Sequence, residues 1–344
     1  MAFVNITSPH VVGHNSVTLM MGKVCLALVP ALVALTYFFG WGYVINAVLA
    51  VSAAVFFEVI ITLLRKRPIL FAIKDLSAVT TALLLALAVP PFLPWWATII
   101  GIFFAIVFIK HLFGGLGHNP FNPAMAAYAL LLISFPLQMT TTWSIALTET
   151  QSLLSFGDTL TAIFKSSNID SYTGATVLDV YKHNVAALTQ NEITQNPIFG
   201  SFVANGWEWV SLMYLLGGVF LIWQKVITWH TPVSVLGGLL IMSVLFSYDA
   251  DTSTSISLHF LAGSTMLGAF FIATDPVSSA TSNLGKLYYG VGIGVLIYVF
   301  RTWGPNPDGF AFAVLLMNFC APFIDHYTRP RTYGQDKATR GYKA

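Results

Sequence analysis

Tyr43-Val44-Ile45-Asn46-Ala47-Val48-Leu49-Ala50-Val51-Ser52-Ala53-Ala54-Val55-Phe56-Phe57-Glu58-Val59-Ile60-Ile61-Thr62-Leu63-Leu64 carries one charged side chain, Glu58, and is closed by Arg65-Lys66-Arg67. At a rise of about 1.5 Å per residue, such a run crosses the roughly 30 Å hydrocarbon core of a bilayer. The basic cluster behind it marks the side that stays in the cytoplasm. The whole 344-residue chain agrees: it is 56% hydrophobic and 9% charged, with a mean hydropathy of +0.74. Soluble domains carry roughly 25% charged residues, so this composition is that of a polytopic, all-α membrane protein.

Apolar runs of spanning length predict about ten transmembrane helices, centred on 23–40, 43–64, 76–93, 95–113, 122–136, 208–224, 231–247, 257–274, 287–303 and 309–325. Several are short or interrupted. The third ends in Ala88-Val89-Pro90-Pro91-Phe92-Leu93-Pro94, the fifth begins at Asn122-Pro123, and the eighth ends at Asp275-Pro276. Broken backbone is tolerated at membrane depth only where protein or a water-filled cavity covers the freed polar groups. Residues 1–22 are polar and mixed, without the pattern of a cleavable signal.

With ten spans and a cytoplasmic N-terminus, 13 of the 16 basic residues fall inside, leaving only Lys165, Lys182 and Arg301 outside. The split obeys the positive-inside rule, and one span more or fewer would spoil it. Both termini are then cytoplasmic. The expected organisation is a cytoplasmic segment 1–22, a first five-helix repeat 23–136, an extracytoplasmic insertion 137–207, a second repeat 208–325 and a cytoplasmic tail 326–344. The insertion is too long for a bare loop, and its scattered apolar residues predict short helices near the surface. A shift of 187 positions lays Asn119-Pro120 on Asn306-Pro307, Ala124 and Ala126 on Ala311 and Ala313, and Ser77 and Ala82 on Ser264 and Ala269. An odd number of spans per half makes the two repeats inverted, a plan shared with transporters.

Few residues invite chemistry. The loop Gly114–Pro123 lacks the strand and the Lys-Ser/Thr ending of a phosphate loop, and reads as a helix breaker that could line a cavity. Glu58, Asp75, Asp275, Lys110 and His111 lie in or at the ends of spans. Glu58 is a candidate for an ion path, although Arg65–Arg67 are near enough to pair with such acids, and Asp275 is a candidate helix cap. There is no GxSxG, no HExxH and no catalytic carboxylate pair. Cys25 and Cys320 sit in apolar runs without metal-site spacing, so no protein-held metal is indicated. The basic residues are a topology signal, not a nucleic-acid patch. Within the insertion, Thr173-Gly174-Ala175-Thr176 is by composition a turn, yet an accessible Thr hydroxyl between small neighbours can also accept a phosphoester.

Specific stretches carry a resemblance. They include Phe38-Phe39-Gly40-Trp41-Gly42, Leu87-Ala88-Val89-Pro90-Pro91, Pro94-Trp95-Trp96, Gly114-Gly115-Leu116-Gly117 with Asn119-Pro120-Phe121-Asn122-Pro123-Ala124-Met125, and Leu132-Ile133-Ser134-Phe135-Pro136. Gly263–Phe271, Thr274-Asp275-Pro276, Asp308-Gly309 and Thr328-Arg329-Pro330-Arg331 continue it. Over nearly its whole length the chain resembles the D-subunit family of the Rnf (or Rsx) electron-transport complex. It is more distantly similar to the B subunit of the sodium-translocating NADH:quinone reductase. The first span starts near Lys23, without the longer N-terminal region of the B-type subunit, which favours the D-type likeness.

The resemblance implies FMN esterified through its phosphate to Thr176, the last residue of a Ser/Thr-Gly-Ala-Thr motif. Thr173, Gly174 and Ala175 complete that motif, with Asp170 upstream and Leu178 downstream. It also implies a possible second flavin, a non-covalent riboflavin known from the B-type subunit, with no residues assignable here. The expected protein is an inner-membrane redox subunit, not catalytic alone, of a ferredoxin:NAD oxidoreductase that moves Na+ or H+. Its partners would be the A, B, C, E and G subunits of the Rnf complex and the lipid bilayer. Tyr172, Trp207 and Trp209 are the expected neighbours of the flavin ring. A small-solute channel or transporter without redox function would suit the same five-plus-five plan, and a structural anchor for other subunits is a third reading.

Overall fold

The computed structural model describes residues 16–147, 152–165, 171–185, 188–196, 198–200, 203–246 and 255–330. Asp170, the residues before Ser16 and the tail from Arg331 lie outside the described residues. The described chain is helical, with no strand and one isolated antiparallel bridge, Ser144 to Thr173. The first part comprises α1 (Val17–Phe39), α2 (Gly42–Leu64), α3 (Ile69–Lys74), α4 (Ser77–Ala88), α5 (Trp95–Phe103), α6 (Pro123–Ser134) and α7 (Pro136–Thr141). Helix α5 runs without a break into a π-helix, Phe104–Leu112. Three short helices follow: α8 (Phe156–Lys165), α9 (Val177–Asn184) and α10 (Gln190–Thr194). The last part holds α11 (Trp207–Trp223), α12 (His230–Leu245), α13 (Ile256–Leu261), α14 (Thr265–Leu267) with a π-turn Gly268–Ile272, α15 (Asn283–Thr302) and α16 (Phe310–Thr328).

Among the described residues, five helices are long and apolar enough to cross a membrane: α1, α2, α5 with its π continuation, α15 and α16. Helices α4, α6, α11 and α12 are apolar but shorter. The eighth predicted span is not one helix. It breaks at Ala262-Gly263-Ser264, where Gly263 adopts φ +70°. Helix α1 also begins before Lys23, because Ser16 caps it by accepting from the Leu19 amide at 3.2 Å.

Exposed leucine, valine and phenylalanine side chains cover the outer faces of these helices, as expected where lipid replaces a protein neighbour. Inside, α1 packs along α11, α2 along α4, and α12 along α15. The α12–α15 contact is close enough to need small residues. A methyl group on Gly294 would sit 2.3 Å from the Val235 carbonyl, and one on Gly290 1.8 Å from Ser234 Oγ.

The Gly114–Pro123 loop is the helix breaker its sequence predicts. Gly114, Gly115 and Gly117 all have positive φ, and Asn122 caps α6 by accepting from the Ala124 and Met125 amides. Its neighbour, the π-helix, turns more widely than an α-helix and carries two consecutive residues that serve one acid. Lys110 Nζ lies 2.8 Å from Glu58 Oε1, and His111 Nε2 2.9 Å from Oε2. Lys110 also donates to Ser77 Oγ. The expected pairing of Glu58 with Arg65 does not occur: Arg65 donates to the carbonyls of His111 and Gly114. Asp275 caps the turn after Ile272, accepting from the Val277 amide and Ser278 Oγ.

Candidate cofactor site

The motif Thr173–Thr176 is not the expected turn: Thr173 forms the bridge to Ser144 and Thr176 is extended, and the turn lies before it at Ser171-Tyr172. The Ile145 amide donates to the Tyr172 carbonyl at 3.1 Å and the Gly174 amide to the Trp143 carbonyl at 3.0 Å. These two bonds pin the motif against residues 143–145. Position 174 is tight, because a Cβ there would fall 2.8 Å from Ile145 Cγ1. Ala175 is exposed and Thr173 half-buried.

Thr176 ends the motif as the N-cap of α9, with φ −72° and ψ 161°. Its Oγ1 accepts from the Asp179 amide at 3.3 Å, which satisfies one of the free amides of the first turn. The side chain is half-buried. Burial pushes the neighbouring Asp179 carboxyl above its usual range, against the pull of His183, the backbone at Thr176 and Lys182.

Thr176 borders a cleft between the two parts of the helix bundle. One wall holds Met125, Tyr128, Met139 and Trp143; the other holds Trp207, Tyr214, Ser264 and Asp308. Counted out to its open mouth, the cleft encloses about 1020 Å³. Of the expected ring neighbours, Trp207 lines it, with its ring 6.1 Å from that of Trp143. Tyr172 instead lines a separate small cavity beside Phe39 and Leu153, and Trp209 is half-exposed on the outer face of α11. Trp143, Tyr214 and Asp308 lie far from the motif along the chain, and proximity in sequence does not reveal them.

A flavin suits this residue set. Aromatic and thioether side chains form the walls, and the flexible Met125 and Met139 can yield to a planar ring. The buried Tyr214 hydroxyl in the wall has no hydrogen-bond partner among the described residues, a group that a polar ring edge would satisfy. At the mouth, the N-terminus of α9 favours an anionic ester.

A polar cluster backs the cleft. Asp308 Oδ2 accepts from the Ser264 amide and Oγ at 2.8 and 2.6 Å, while Arg301 lies 3.2 Å from Oδ1. Arg301 also donates to the His259 carbonyl and to Thr265 Oγ1. A second cavity lies at the other end of α11, lined by Ser77, Lys110, Asn119, Asn122, Thr274 and Asp275.

Apolar helices packed around a cleft bordered by a helix-capping threonine define a polytopic membrane protein with a candidate cofactor site. The chain belongs to the NQR2, RnfD, RnfE family, whose sequence profile matches residues 4–334. It is 52% identical over 343 residues to the D subunit of the ion-translocating oxidoreductase complex of Marinobacter nauticus, covering 99% of this chain and 98% of the relative. The protein of the same name from Aliivibrio salmonicida is 52% identical over 351 residues, covering 98% and 100%. That of Pseudomonas aeruginosa is 50% identical over 347 residues, covering 100% and 99%.

Proposed function

We propose that this chain is the D subunit of an ion-translocating oxidoreductase complex and carries FMN esterified to Thr176. The names and near-complete coverage of its relatives support the first part. The second is carried by one observation: Thr176 is at once the N-cap of α9 and part of the wall of an aromatic cleft. Bound flavin would supply reversible one- and two-electron chemistry. The bridge to residues 143–145 fixes the motif, Trp143 and Trp207 exclude water, and the α9 amides favour the phosphoester charge.

We place the chain in the bacterial inner membrane as ten spans in two inverted halves, with both termini inside and Thr176 outside. Two features support the repeat. Helices α3 and α6 begin at Ile69 and Pro123, and α13 and α16 at Ile256 and Phe310, 187 residues on in each case. Leu76 and Gly263, also 187 apart, are both left-handed and precede Ser77 and Ser264. A core of about 30 Å is too thick for one electron hop. Further cofactors in the partner A, B, C, E and G subunits would complete the route, coupled to Na+ or H+.

The test is fluorescence of the denatured band under ultraviolet light, after production in a host that attaches flavin. The wild-type band should fluoresce and Thr176→Ala should be dark. A dark wild-type band refutes the redox-carrier reading and leaves the channel reading. A fluorescent Thr176→Ala band refutes the site alone.

A further inference from the structure

Thr176 and Lys182 share the short helix α9. Lys182 Nζ donates to the carbonyls of Asn306 at 2.8 Å and Phe300 at 3.4 Å, and to that of Gly304. These three carbonyls cluster at the C-terminal end of α15, Phe300 in its last turn and Gly304 and Asn306 just beyond it, where the helix dipole favours a cation. The corner they form leads directly into Asn306, Pro307 and Asp308, which line the same cleft as Thr176.

A second contact holds the other end of α9. A methyl group on Gly263 would lie 2.7 Å from Leu178 Cδ1, 2.8 Å from Asp308 Oδ2 and 3.1 Å from an Arg301 nitrogen. The first turn of α9 therefore rests on the glycine that covers the Arg301–Asp308 pair. With its N-terminal turn seated at Gly263 and its last turn tied by Lys182, the helix has little freedom to swing. Thr176 is thereby held against a cleft built from the far part of the chain.

We propose that Lys182 is a positioning residue: it clamps α9 to the end of α15 and so keeps the group attached at Thr176 in the cleft. The proposal rests on the FMN reading above. Neither attachment nor redox chemistry needs the lysine; what it supplies is the seating of the helix. An arginine can reach the same carbonyls with its own donors, whereas a methionine of similar length donates nothing.

The experiment uses the full chain with flavin attached, in detergent, as wild type, Lys182→Met, Lys182→Arg and Lys165→Met. Lys165 is exposed at the end of α8 and serves as the control. All four denatured bands should fluoresce equally. In the native state, Lys182→Met should show lower flavin anisotropy and quenching by iodide raised several-fold, with the other two variants near wild type. Wild-type anisotropy and quenching in Lys182→Met, or an equal change in Lys165→Met, would overturn the proposal. The clamp is also read without flavin: in a Thr176→Ala background, Lys182→Met should speed proteolytic cleavage after Tyr172 on the order of tenfold, the scale of a lost charged hydrogen bond. An unchanged rate there overturns the clamp whatever the flavin result. A dark wild-type band alongside faster cleavage overturns the cofactor part and locates the fault in the FMN reading.

Discussion

Adding one methyl group to the Thr173–Thr176 motif gives a sharp test of how that motif is held. In Gly174→Ala the new Cβ would lie 2.8 Å from Ile145 Cγ1 and 3.2 Å from Cδ1. Comfortable carbon contacts are about 3.5–4.0 Å. Because Ile145 is branched at Cβ, its Cγ1 cannot swing away without leaving a preferred rotamer. Overpacking of this kind costs about 1–3 kcal/mol. It falls on the two hydrogen bonds that dock the motif, Gly174 amide to Trp143 carbonyl and Ile145 amide to Tyr172 carbonyl. Taking about 1–2 kcal/mol, the undocked population should rise roughly 5- to 30-fold. Cleavage after Tyr172 by limiting chymotrypsin follows that population when opening is fast. In an Ile145→Ala background the Gly174→Ala effect should nearly vanish, a coupling that separates steric crowding from any other role of the glycine. An unchanged cleavage rate in Gly174→Ala, or an effect of full size in the Ile145→Ala background, would refute the reasoning.

Three further outcomes follow from the geometry. Lys110→Met should destabilise the bundle by about 3–5 kcal/mol, because it strips a buried carboxylate of its charged partner. Adding Glu58→Leu should recover much of that loss in thermal denaturation of the solubilised chain, whereas additive losses would show that the pair is not coupled. Burial raises the Asp179 carboxyl pKa in the folded chain, so its contribution is fully present below about pH 3.9, the unfolded value, and is lost as pH rises through the folded pKa. Hydrogen exchange of α9, corrected for intrinsic rates, should therefore quicken over that rise in wild type and stay flat in Asp179→Asn. Seating of α9 should depend on Lys182 as set out above.

Much of the architecture was legible because lipid imposes a one-dimensional rule: an apolar run of sufficient length becomes a helix. The run from Tyr43 to Leu64 became α2 (Gly42–Leu64), and Asn122-Pro123 marked the start of α6 through a side-chain cap. The rule fails where local backbone geometry decides. Ala262-Gly263-Ser264 lies within an otherwise apolar run, and the left-handed conformation of Gly263 splits it. Hydropathy starts α1 at Lys23, the first charge before the long apolar run, although Ser16 caps the helix earlier.

The motif stood out only through a resemblance, and its surroundings were not legible at all. Sequence proximity offered Tyr172 and Trp209, and neither reaches the cleft. Trp143 approaches through the paired segment at 143–145, and Asp308 through the corner between α15 and α16. Those contacts are set by tertiary packing, across more than a hundred residues in the case of Asp308. The acid–base trio at Glu58 shows the same limit: all three residues stood out as unusual, but their meeting at one carboxylate, with Lys110 and His111 on a π-helix, is set by tertiary packing.

The most direct test of the central claim is mass spectrometry of the proteolytic peptide that contains Thr176, from protein made in a host able to attach flavin. The account predicts a peptide heavier by one FMN less a water, with fragmentation assigning the addition to Thr176. An unmodified peptide, or the same addition on Thr173, would contradict it.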